Sequence, residues 1–173
     1  MFSYSHRVKK FVIFHCKLIA WKVLTSHLNR KYDTNQSPNF LAWFSNGFRS
    51  PAPNFVKWEV LRRWGSESVW IETGTYLGET TEFLLKNSQK VISIEPSVQL
   101  VEMARNKFMN LNNVLIVQGT SEQVLDETLC TLSDLEKGDM NFWLDGHYSE
   151  GITYLGEVEC PVPQELSIIS AHL

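Results

Sequence analysis

From Ser68 onward the chain alternates two kinds of segment with short joints between them, and this alternation constrains the fold more than any other feature. Four short apolar runs, VWIET (Val69–Thr73), KVISIEP (Lys90–Pro96), NVLIVQG (Asn113–Gly119) and MNFWLDG (Met140–Gly146), have the length and residue types of strands. Between them lie GETTEFLLK, SVQLVEMARNKFM and SEQVLDETLCTL, which have helical spacing, and PQELSIISAHL begins a further helix that runs to the last residue. The second helix places Val101, Ala104 and Phe108 on one face with Leu100 and Met103 beside them, and Ser121 is positioned to cap the third. Parallel neighbours need crossover helices, so the pattern predicts an α/β fold with a Rossmann-like, doubly wound parallel sheet.

The first 54 residues read differently. FVIFHCKLIAWKVL (Phe11–Leu24) is too short to span a bilayer and is interrupted by His15, Lys17 and Lys22. It forms an amphipathic pattern with Phe11, Phe14, Leu18, Trp21 and Leu28 near one face. Such a helix packs on its own domain or on a partner subunit; the basic, aromatic residues of 9–28 also suit weak peripheral contact with an anionic membrane, and an acid-free start is compatible with a transit signal. Residues 33–55 are rich in Asn, Ser and Pro and read as an irregular aromatic arm. FVKWEVLRRW then predicts a short helix with Phe55, Trp58 and Leu61 inward and Gly65 as its stop. The expected division is therefore a basic helix and arm over 1–54 and a sheet domain over 55–173.

Charge is unevenly placed. Residues 1–31 hold seven of the 16 Lys and Arg and none of the 19 Asp and Glu, which leaves the remainder at −10. A domain so acidic lacks the basic face that phosphate neutralisation requires, so no nucleic-acid partner is expected. Cys16, Cys130 and Cys160 form no C-x-x-C pair, which suggests neither a zinc knuckle nor a disulfide framework and fits a reducing, cytoplasmic setting.

The turn after the first strand, WIETGTYLGETTEF, sits where open α/β sheets bind ligands. A dinucleotide fingerprint needs G-x-G-x-x-G, but Tyr76 occupies the middle glycine's place and would meet a pyrophosphate with a side chain. No Gly-Lys-Ser/Thr follows, so the P-loop pattern fails too. Glu95, which ends the second strand 21 residues past Gly74, is placed to accept two ribose hydroxyls.

The acidic-x-Gly-x-x-x-Gly spacing of Glu72, Gly74 and Gly78 resembles the first motif of class I S-adenosylmethionine-dependent methyltransferases. The longer set WIETGTYLGETT, VISIEPS, FWLDGHYSEGIT and CPVPQEL resembles uncharacterised bacterial members distantly similar to the macrocin O-methyltransferase group, over roughly residue 55 to the end. The resemblance implies methyl transfer to a hydroxyl of a small molecule or sugar, with S-adenosylmethionine as cofactor. Glu72 would face the ammonium, directly or through water. Gly74, with Thr75 and Tyr76 in the same turn, would let the backbone approach the nucleoside, while Gly78 would allow close helix–strand packing. Gly119, Thr120 and Ser121 would lie beside the adenine. Asp145 and His147 would face the transferred methyl, with His147 as general base for a hydroxyl or as a second ligand to a divalent cation beside Asp145. In the macrocin-type group an aspartate at this place, with two acidic residues after a fifth strand, holds Mg²⁺; here nothing follows Leu173, and no metal is assigned. The expectation is thus a sheet of order 3-2-1-4 from a truncated product, its fourth strand an open edge or one covered by a second copy in a homodimer. A non-catalytic remnant that binds cofactor or a partner is the alternative.

Overall fold

The four apolar runs pair side by side in the computed structural model, which describes residues 43, 46–49, 52–146 and 160–172. The described residues fall into two units that divide between Gly65 and Ser66. In the first unit, helix α1 (Asn54–Trp64) carries Arg62 and Arg63 in its last turn, where positive charge suits the helix dipole. Gly65 ends it by donating its N–H to the Leu61 carbonyl. Val56, Val60 and Leu61 are its buried residues. Trp58, expected inward, is only half-buried. The apolar face over Phe11–Leu28 lies outside the described residues.

The second unit holds β1 (Val69–Thr73), α2 (Glu79–Leu85), β2 (Lys90–Glu95), α3 (Val98–Phe108), β3 (Val114–Gln118), α4 (Ser121–Cys130), α5 (Asp134–Lys137), β4 (Met140–Leu144) and α6 (Val162–Ala171). All pairings are parallel and the order is β3-β2-β1-β4, as expected, with β2 and β3 added on one side of β1 and β4 on the other. Alternation along each strand sorts residues between two faces. Val69, Ile71, Ile92, Ile94, Met140 and Phe142 form one core with Leu125 and Leu129 of α4 and Ile169 of α6. Val101, Ala104 and Phe108 of α3 pack with Ile116 on the other. A one-residue slip would send Ile71 and Ile92 to the wrong face and bring Glu72 into the first core, which fixes the register.

Three details differ from the sequence reading. Met103 points to solvent, 47% exposed, because Leu100, Val101, Ala104 and Phe108 already fill the α3 stripe. Thr120, not Ser121, is the N-cap of α4, and neither side chain closes a capping bond. The short helix α5 was not expected; a reciprocal capping box between Ser133 and Glu136 starts it, and Lys90 pairs with Glu136 at 2.8 Å.

The sheet's carboxyl edge extends one residue past its strands. Gly74 N–H donates to Ile94 O, Gly119 N–H to Glu95 O, and Asp145 N–H to Thr73 O. The ends of all four strands are therefore laced together where the ligand-binding residues were expected.

Candidate functional site

The glycine turn is built on left-handed backbone. Gly74, Tyr76 and Gly78 have φ of +87°, +48° and +71°. Gly78 N–H closes the turn on Thr75 O at 2.8 Å, and the Lys107 ammonium donates to the carbonyls of Leu77 and Gly78. A Cβ on Gly74 would lie 2.6 Å from the carbonyl oxygen of Asp145. The glycine thus serves first to seat the end of β1 against the end of β4, a constraint that spacing alone did not reveal. A Cβ on Gly78 would lie 3.0 Å from the Phe108 ring, so the close packing there is between the turn and α3 rather than between helix and strand. Tyr76 holds a conformation that side-chain-bearing residues rarely adopt, and its side chain stays half exposed.

Beneath the turn, Glu72 is fully buried. Its Oε2 accepts hydrogen bonds from Thr81 Oγ1 and Ser93 Oγ, both at 2.6 Å, and Ser93 Oγ also lies 2.6 Å from Thr75 Oγ1. Oε1 has no protein partner. Burial is the main cause that pushes this carboxyl up to about 7; Ser93 and Thr81 oppose it, and the charges of Asp145 and Glu95 add to it. Glu72 therefore braces the turn from inside the protein instead of standing open at its surface.

Glu95 is held in a different way. Its Oε2 accepts from the Tyr76 N–H and its Oε1 from the Ser97 N–H, both at 2.9 Å. The acid at the end of β2 is thereby tied to the turn at the end of β1. The N–H that matters comes from Tyr76, whose left-handed φ accompanies that contact.

At the end of β3, Gly119 has φ +149°, and a Cβ there would collide with Val124 Cγ1 at 2.5 Å. Thr120 and Ser121 follow at the start of α4, and the Ser121 hydroxyl points to Glu122 Oε2 at 3.4 Å. At the end of β4, Asp145 is half-buried. Its intended companion His147 lies outside the described residues. Among the described residues no trio of metal-ligating groups gathers around Asp145.

Sequence reasoning missed two groups. Ser93 and Thr81, which hold Glu72, could have been suspected, since Ser93 interrupts an apolar strand at the position paired with Glu72. Glu165 is the other. It lies four residues before Ile169 on the buried stripe of α6, so its carboxyl is fully buried beside Thr73 and Gly146 at the β1–β4 switch point. Burial raises its pKa. The Ser121 and Thr73 hydroxyls lie close enough to offset part of this, yet neither meets hydrogen-bond geometry, and Thr73 Oγ1 is itself unpartnered.

No family model matches the chain, and no curated protein matches it. Solved structures do. A putative methyltransferase from Streptococcus mutans, in complex with SAH, aligns over 72% of this chain and 68% of its own at TM-score 0.52 and 15% identity. The precorrin 8w decarboxylase of Methanobacterium thermoautotrophicum aligns over 72% and 60% at TM-score 0.49 and 17% identity. An rRNA methylase from Streptococcus thermophilus aligns over 46% and 49% at TM-score 0.40 and 19% identity, so this chain spans about half of its length. The likeness to the Streptococcus mutans protein, with the 3-2-1-4 order, establishes the Rossmann-like α/β fold.

Proposed function

We propose that the sheet unit binds S-adenosylmethionine along its carboxyl edge and serves methyl transfer to a hydroxyl of a small molecule or sugar. The observation that carries this reading is the bracing of Glu95. One backbone N–H from the glycine turn and one from the start of α3 fix its two oxygens, and each oxygen keeps a further lone pair with which to accept from a vicinal ribose hydroxyl. The Gly74–Tyr76 turn supports the amino-acid end of the cofactor from above the buried Glu72. Gly119, Thr120 and Ser121 flank the purine. When bound, the cofactor supplies a sulfonium methyl as electrophile. Asp145 orients the acceptor hydroxyl and His147 removes its proton, and the rest of the demand on the site is alignment and exclusion of water. No role is assigned to Mg²⁺ in this reading. The solved relative that contains SAH supports the choice of cofactor class by its fold.

Isothermal calorimetry with S-adenosylmethionine and S-adenosylhomocysteine tests it. Glu95→Ala removes two hydrogen bonds to a charged acceptor, so affinity should fall by about 30-fold or more. Equal binding by wild type and Glu95→Ala would sink the ribose assignment. Binding with no methyl transfer to any of a panel of hydroxylated acceptors would reassign the chain as a cofactor-binding module.

A further inference from the structure

The geometry points to a transition-metal site, suited to Zn²⁺, formed by Asp126, Cys130 and His172 at the end of α4 remote from the cofactor edge. Asp126 and Cys130 are four residues apart on α4 and share one face. His172 caps the C-terminus of α6, whose Ile169 packs into the same core as Leu125 and Leu129 of α4. Two helices thus converge on one point about 8–14 Å along α4 from Ser121, given the rise of about 1.5 Å per residue of an α-helix.

The donor set and spacing both fit. His172 Nε2 lies 2.8 Å from Asp126 Oδ1, and one ligand atom from each of the three residues lies within 4.8 Å of the others. Around a tetrahedral zinc, with bonds of about 2.0–2.3 Å, ligand atoms stand roughly 3.2–3.8 Å apart. The imidazole–carboxylate separation falls just below that range, and no pair of the three lies beyond 4.8 Å. Asp126 and Cys130 are exposed, so their side chains have room to turn about their own bonds toward a shared ion. A hydrogen bond between imidazole and carboxylate needs no thiol, whereas the thiol beside it supplies the soft donor that favours Zn²⁺ over Mg²⁺ or Ca²⁺. Coordination replaces the Cys130 S–H proton, which passes to solvent, and three protein ligands leave the fourth position to water. Bound there, the ion clips α4 to α6, the two helices that carry Ser121 and Glu165 to the carboxyl edge.

Cobalt(II) titration of the full chain tests the site, since four-coordinate cobalt with a thiolate ligand gives a near-ultraviolet charge-transfer band and intense visible bands. Both should form in the wild type and vanish on addition of Zn²⁺. Cys130→Ser should abolish the charge-transfer band, and Cys160→Ser should keep it. Asp126→Asn and His172→Gln should each weaken cobalt binding by at least about tenfold. Zn²⁺ should raise the melting temperature of the wild type and leave that of Cys130→Ser unchanged. A wild-type spectrum like that of hexaaqua cobalt, or a thiolate band that survives Cys130→Ser and is lost in Cys160→Ser, overturns the proposal.

Discussion

Glu72 and Glu165 are the same chemical group at the same depth, on opposite faces of one sheet, and their surroundings differ. Glu72 sits under the glycine turn with two hydroxyls donating to one oxygen. Glu165 sits under the β1–β4 switch point, where the neighbouring hydroxyls make no hydrogen bond to it. In both cases burial favours the neutral form. The difference teaches that a buried carboxyl can be part of the frame on one face and a strain on the frame on the other. Hydrogen bonds to one oxygen, as at Glu72, recover part of the lost hydration, whereas Glu165 recovers none of it through a hydrogen bond.

The largest effect that would sharpen this contrast is a pH dependence. Glu72 binds its proton more tightly in the folded chain than in the unfolded one, so its contribution is fully present below about pH 4.5 and is lost as pH rises through about 7. A shift from 4.5 to about 7 corresponds to about 3 kcal/mol. Urea unfolding of wild type and Glu72→Gln should give stability curves that run parallel below about pH 4.5 and again above about 7, and change their separation by about 3 kcal/mol in between; curves parallel throughout would break the assignment. Next in size, Glu165→Met should stabilise the chain by about 1–2 kcal/mol at neutral pH, since it removes a desolvated carboxyl without leaving any donor unpaired. Loss of stability in this variant would mean that Glu165 has a partner worth keeping. The smallest effect is a paired comparison of two threonines. Thr81→Val should cost about 1 kcal/mol because it takes a donor from Glu72, while Thr73→Val should stay within about 0.5 kcal/mol of wild type. Equal costs for the two substitutions would erase the contrast between the faces.

The strands and their order were legible because period-two burial and crossover spacing are written in the local sequence. VWIET, for instance, is the observed β1 residue for residue. Glu95 was legible for the same reason, as its place follows from where β2 ends. What the sequence did not reveal were contacts between segments far apart in the chain. The close approach of Gly74 to Asp145 joins residues that only the β1–β4 pairing brings together. Glu165 was hidden because a lone acid in an apolar helix looks like a solvent-facing charge until the helix docks. Ser121 was read as a cap because local rules place Ser there, yet the chain enters α4 one residue earlier.

The contact at Gly74 also limits how such a site can change. Its missing side chain is filled by the backbone of Asp145, so the loop proposed to cradle the cofactor and the residue proposed to orient the acceptor share one joint. Any substitution at position 74 shifts both together. Altering the acceptor's approach while leaving the cofactor's seat intact must therefore come from side chains beyond Asp145, and the choice of substrate can vary only where the main chain is already free of that joint.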